Sequence, residues 1–218
     1  MINPYNLKNL PPWMGKLLKG MAARTPDTDL DKLSYVVLDT ETTGFDYQKD
    51  RILCIGALRL NDQRIKVHDC LEIYIKQEHY NHTSTEVHGI LSREERPCLQ
   101  ESEAMEIFLE YLGEDVIVAH HANFDMTMLN NALQRNGMQK IANYTLDTST
   151  LYRKTVISSP VVPRKERYTL DELADKFDIS KKDRHTALGD AYITAIAFLR
   201  ILHSLKKKGI TTLRQAIR

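Results

Sequence analysis

The chain has 218 residues, 42% hydrophobic and 27% charged side chains, and modest use of Gly and Pro, the profile of one globular domain with a sizeable core. No apolar run approaches the roughly 18 to 20 residues of a membrane span, and the N-terminus, broken by Pro11 and Pro12, lacks the apolar stretch and cleavage site of a signal peptide, so no membrane partner is expected. Cys54, Cys70 and Cys98 form no CxxC and read as reduced, partly buried thiols, which points to the cytoplasm. The net charge is +1, unevenly spread: residues 1–25 and 200–218 carry Lys and Arg without any acid, whereas residues 94–115 are strongly acidic. A basic rim beside an acidic centre suits a polyanion.

In chain order, Trp13, Leu17, Leu18 and Met21 have helical spacing, so residues 1–33 read as a partly helical appendage. Residues 34–40 form a first strand. Residues 51–60 and 64–75, joined by the short turn "NDQ", form a hairpin. A polar loop follows, then a helix over 99–112 and a short apolar strand, "DVIVAH", of the kind buried on both faces. A helix from about Phe124 to Arg135 stops at Asn136 and Gly137, and "YTLDTSTLYRK" offers a brief strand before a turn or helix. Residues 155–167, with two prolines, read as a loop. Thr169 and Glu172 have capping-box spacing for a short helix. The last helix runs from about Leu188 to Lys207, with Leu188, Ala191, Tyr192, Ala195, Leu199 and Leu202 on its inner face. Residues 209–218 read as a basic tail. A hairpin leading into alternating helices and strands argues for an α/β layer fold with a mixed sheet in one domain over 34–208.

Chemistry concentrates in "YVVLDTETTG". Side chains alternate along a strand, so Asp39 and Glu41 share a face at the end of an apolar run. Two carboxylates so placed repel and resist desolvation unless a cation lies between them. A metal site asks for further acids at element ends. Asp125 lies in the first turn of a helix just past a buried strand, and Asp190 begins a very apolar helix. His185, five residues before Asp190, falls in the loop preceding that helix. Neutral imidazole can take a proton from water, which metal-bound carboxylates do poorly. Four carboxylates and one histidine suit two hard cations such as Mg²⁺ or Mn²⁺, and suit zinc badly because no Cys/His cluster has ligand spacing.

"VVLDTETTGFD", "VAHHANFD" and "HTALGDA", with its His-x4-Asp spacing, resemble the three motifs of the DnaQ-like, DEDDh-type 3′-to-5′ exonucleases, a family that includes the proofreading epsilon subunit of bacterial DNA polymerase III. The resemblance spans about residues 34–205. It implies a ribonuclease-H-like α/β fold, two metals held by Asp39, Glu41, Asp125 and Asp190, and His185 as general base. Thr42 and Thr43 would meet the terminal 3′-hydroxyl through backbone groups, Gly44 would relax the turn, and Phe45 would stack on the last base. "TEVHGI" resembles a segment of epsilon-like members, which brings His88 towards the substrate backbone. At His121 many relatives carry Asn, so no role follows for it.

The implied activity is hydrolysis at the 3′ end of DNA, single-stranded or frayed, releasing nucleoside 5′-monophosphates in proofreading or repair, alone or beside a polymerase or other replication protein. RNA trimming by the same residues is the alternative within the family. A catalytically idle nucleic-acid-binding module would be expected to lack one of the acids or His185, and none is missing. A hydrolase of small phosphates would need an enclosed pocket.

Overall fold

β1 (Tyr35–Thr42) alternates its apolar side chains between two layers and so fixes the architecture. The computed structural model describes residues 26–77, 97–157 and 165–218; the expected helix over Trp13–Met21 and the position of His88 lie outside them. β1 pairs antiparallel with β2 (Ile52–Asn61), which turns through Asp62 and Gln63 into β3 (Arg64–Ile75). Both turn residues have positive φ (51° and 58°), as a two-residue hairpin whose twist matches its strands requires. β4 (Cys98–Leu99), β5 (Val116–Ala119) and β6 (Thr145–Asp147) add parallel pairings, giving a six-stranded mixed sheet in the order β4-β3-β2-β1-β5-β6. The expected α/β fold with a central mixed sheet is what forms.

Helices cover both faces. On one, Val36, Leu38, Ile55, Ala57 and Ile117 pack with α1 (Glu101–Leu112) and α2 (Asn123–Arg135). On the other, Tyr35, Val37, Leu58, Leu60 and Val118 pack with α3 (Thr148–Thr155), α4 (Leu170–Phe177) and α5 (Ala187–Lys207). Phe198 of α5 is fully buried and meets the Tyr35 ring edge-on at 5.0 Å, a placement that stabilises the fold by roughly 1.5–3 kcal/mol from area alone. The Tyr35 hydroxyl donates to the Leu30 carbonyl (2.6 Å).

Several expectations change. Residues 98–99 add a short strand before α1, and β1 continues through Glu41 and Thr42. Among the described residues α5 alone has the length and mean apolarity to cross a bilayer, but it is a core helix, its apolar sides spent on the sheet and on α3 and α4. Its inner face keeps Ala191, Ala195 and Leu202 buried as expected but is broader, taking in Ile193, Thr194, Ala197 and Phe198, while Tyr192 is 44% exposed. Cys54 is buried, but Cys70 and Cys98 are exposed.

The two ends of the described chain clasp each other. The basic C-terminal residues include α6 (Leu213–Ile217), with a capping box between Thr212 and Gln215 and buried Leu213 and Ala216. Leu213 and Arg214 donate backbone hydrogen bonds to Thr28 (3.0 Å) and Pro26 (2.6 Å), and Leu30 donates to Thr211 (2.8 Å). Lys206 and Arg214 form ion pairs with Asp31 and Asp27. These cations therefore neutralise local acids at the C-terminal end of α5 and do not rim the site at its other end. In the acidic stretch, Glu101 pairs with Arg135 between α1 and α2, and Asp115 pairs with Arg59 of β2.

Candidate metal centre

The end of β1 carries Asp39 and Glu41 towards the layer that holds α5. Asp39 lies opposite Gly56 of β2, and a Cβ at Gly56 would fall 2.2 Å from the backbone of Ala187 and Leu188. Only a residue without a side chain lets the first turn of α5 rest on the sheet there. That contact brings Asp190 to the strand. Asp39, Glu41 and Asp190 each place a carboxylate oxygen within 4.8 Å of the others.

Asp125 is not part of that close set. It sits in the first turn of α2, on the other layer, where its Oδ1 accepts from both the amide (3.0 Å) and the hydroxyl (2.7 Å) of Thr40. Thr40 is the residue between the two strand acids, so its side chain faces α2 as theirs face α5. The structure thus gathers three of the four expected acids and moors the fourth across the strand, close enough for its charge to act on Asp39 and Glu41.

The electrostatics are those of an acidic cluster short of positive charge. Burial, then the charges of Asp125, Asp190 and Glu41, hold the Asp39 carboxyl well above its ordinary range. Burial, then Asp190 and Asp125, push Glu41 up to about 8. Burial raises Asp125 to about 7 against the hydrogen bonds from Thr40. Asp190 is raised by burial and partly relieved by Arg184, which donates to its Oδ2. Its other oxygen, Oδ1, is buried and has no hydrogen-bond partner. A bare buried carboxylate oxygen among all-oxygen donors fits a hard divalent cation.

His185 lies in the turn before α5, as expected, exposed and with φ 65°. A non-glycine residue rarely adopts this left-handed conformation, histidine more often than most. Thr186 caps α5 by accepting from Gly189 N–H (3.2 Å) and donates to the Asp183 carbonyl (2.8 Å). A Cβ on Gly189 would come within 2.0 Å of that carbonyl, so the turn can fold tightly over the helix start only with glycine there.

Beside the acids, Thr42 and Thr43 are buried. Thr43 spends its amide on the Arg51 carbonyl (2.9 Å) and its hydroxyl on Asp50 (2.7 Å), while the Thr42 hydroxyl donates to Gly44 (2.8 Å). Gly44 has ordinary φ; its need is space, because a Cβ would lie 2.5 Å from the Asp50 carboxylate. Phe45 is 87% exposed, and both its ring and that of Tyr47 approach Phe124, at 5.8 and 5.7 Å. Tyr47 and Phe124 escaped the sequence reading, although the aromatic spacing of "GFDYQ" was visible. His120 and His121 stack at 4.3 Å, each with a buried Nε2 lacking a partner, and burial lowers His120 to about 4. His121 also has positive φ, a conformation that asparagine tolerates well.

A family model described as "Exonuclease" matches residues 36–198. The chain is 33% identical over 189 residues to the DNA polymerase III PolC-type protein of Thermotoga petrophila, covering 87% of this chain and 13% of that protein. It is 34% identical over 198 residues to a DNA polymerase III subunit epsilon-like protein of Rhodobacter capsulatus, covering 89% and 27%. The chain thus spans a small part of the length of these relatives. Among solved structures, E. coli Exonuclease I in complex with a dT13 oligonucleotide superposes with a TM-score of 0.69 at 16% identity, covering 81% of this chain and 42% of that one. Exonuclease X in complex with 5′ overhanging duplex DNA gives 0.61 at 20%, covering 84% and 98%. At such identities these likenesses establish the shared fold.

Proposed function

The chain belongs to the exonuclease family, and from that membership we propose that it is a cytoplasmic, metal-dependent 3′-to-5′ exonuclease that shortens DNA from a free, frayed or single-stranded 3′ end. The observation that carries this reading is the trio Asp39, Glu41 and Asp190 at the end of β1, with the buried and unpartnered Oδ1 of Asp190. These three acids, with Asp125 completing the set, would hold two Mg²⁺ or Mn²⁺ ions. Bound there, the ions would acidify a water and offset charge on the leaving 3′-oxygen. His185, on the solvent side of the α5 turn, would take the proton of the attacking water.

Thr42, Thr43 and Gly44 would form the floor beneath the 3′ terminus. Thr43 has already committed its amide, so its share is to shape the turn. The exposed Phe45 ring, backed by Tyr47 and Phe124, would stack on the last base, an interaction that favours an unpaired end. His88 would approach the substrate backbone. The nuclease unit would be residues 34–208, acting alone or beside a polymerase, as the names of its relatives suggest.

Digestion of matched 5′-labelled single-stranded DNA, mismatched-end duplex and RNA in Mg²⁺ tests the reading. The expected result is a ladder shortening from the 3′ end, release of nucleoside 5′-monophosphates, and loss of activity with EDTA or a 3′-phosphate. Faster loss of RNA would reassign the substrate, and cleavage of circular single-stranded DNA at the same rate would refute an end-dependent enzyme.

A further inference from the structure

Arg184 stands directly before His185 and is largely shielded, its side chain 16% exposed. Its guanidinium is shared between two carboxylates. Nε and Nη2 donate to Oδ1 (2.8 Å) and Oδ2 (3.1 Å) of Asp171 in the first turn of α4, while Nη1 donates to Asp190 Oδ2. The Arg184 amide also closes the turn onto the Lys181 carbonyl (3.2 Å). A carboxylate at the end of a short side chain can rotate about its last bond. A planar fork anchored on a second helix stops that rotation, because its donors point in fixed directions.

We infer that Arg184 is a positioning residue: anchored by Asp171, it caps Asp190 Oδ2 so that Oδ1 is the oxygen left for a cation, and it pins the turn that carries His185. This rests on the metal-dependent reading above. The rival account is simple charge neutralisation, in which Arg184 offsets the repulsion among Asp39, Glu41 and Asp190 and any cation would serve. The two differ over lysine. Arg184→Lys keeps the charge but cannot make a two-pronged contact with Asp171 while bonding Asp190.

Three variants separate the accounts: Arg184→Lys, Asp171→Ala and the double variant, each melted in EDTA to verify folding. Mn²⁺ affinity is read from the free-ion electron paramagnetic resonance signal, and turnover from 5′-labelled single-stranded DNA at saturating Mn²⁺. Loss of an outer partner of a metal ligand typically costs about 10- to 100-fold in affinity or activity, so each single variant should fall in that range for Mn²⁺ binding or kcat, with KM for DNA nearly unchanged. The double variant should be no worse than the more impaired single one, because both substitutions cut the same relay. Wild-type Mn²⁺ affinity and kcat in Arg184→Lys, or losses that multiply in the double variant, would overturn the inference. Should Arg184→Lys fail to fold, Asp171→Ala, at a half-exposed position, decides alone: wild-type values there overturn the proposal. If the wild type degrades no DNA, the nuclease reading falls, and the Mn²⁺ titrations still decide the role of Arg184.

Discussion

The two ends of α5 are built on opposite terms. At its C-terminal end Lys206 finds Asp31, α6 carries a full capping box, and residues 26–30 are tied to 211–214 by backbone hydrogen bonds. At its N-terminal end stand carboxyls held above their ordinary range, a carboxylate oxygen with no partner, a left-handed histidine and two glycines under close contact. One helix joins them, and its well-packed half supports the unfavourable half. Local strain and unpaired charge of this kind persist only where the surroundings over-determine them.

The largest way to break the comparison is at the charged end. Asp39→Ala should lower turnover by about 10³-fold or more, since metal-borne stabilisation is worth several kcal/mol. The same variant should melt higher than wild type in EDTA, because it removes a repelling carboxyl. Activity assays paired with thermal melts check both halves, and unchanged turnover would end the metal assignment. At the other end, Phe198→Ala should cost about 3–5 kcal/mol in a denaturant titration while the folded fraction keeps its turnover.

A pH series sharpens the contrast. Glu41 at about 8 and Asp125 at about 7 take up protons on folding, so their contribution is complete at acid pH and is lost as pH rises towards those values. His120, held near 4, has the opposite effect, but only below its ordinary value of about 6.5. In EDTA, stability should therefore decline between about pH 6.5 and 8, and added Mn²⁺ should raise the melting temperature more at pH 8 than at pH 6. Glu41→Gln should flatten the EDTA curve; a wild-type curve that rises through this window would contradict the assignment. The smallest effect expected is at the clasp, where Thr212→Ala should cost about 1 kcal/mol and leave nuclease activity unchanged.

Much of the site could be read from the sequence because its acids interrupt apolar runs: Asp39 and Glu41 end a buried strand, and Asp190 opens a buried helix. What could not be read depends on contacts between distant segments. Nothing local marks Arg184 as the partner of both Asp171 and Asp190, or Thr40 as the mooring of Asp125. Gly56 did carry a signal, since glycine inside a strand often marks a close backbone approach. So did the Thr-x-x-Gln spacing at 212–215, which opens α6 where only a basic tail was expected. The hairpin and both sheet faces were legible because period-two alternation is local, whereas the two-residue strand β4 is too short to have any period.

The clasp also determines how the domain can be connected to other polypeptide. Residues 26–30 and 211–214 lie side by side, and α5, with 21 residues at about 1.5 Å each, separates them from the acids by roughly 30 Å. A body in which residues 26–30 and 211–214 share one pole, with the acids at the other, has the form of a cassette that can be spliced into a longer chain.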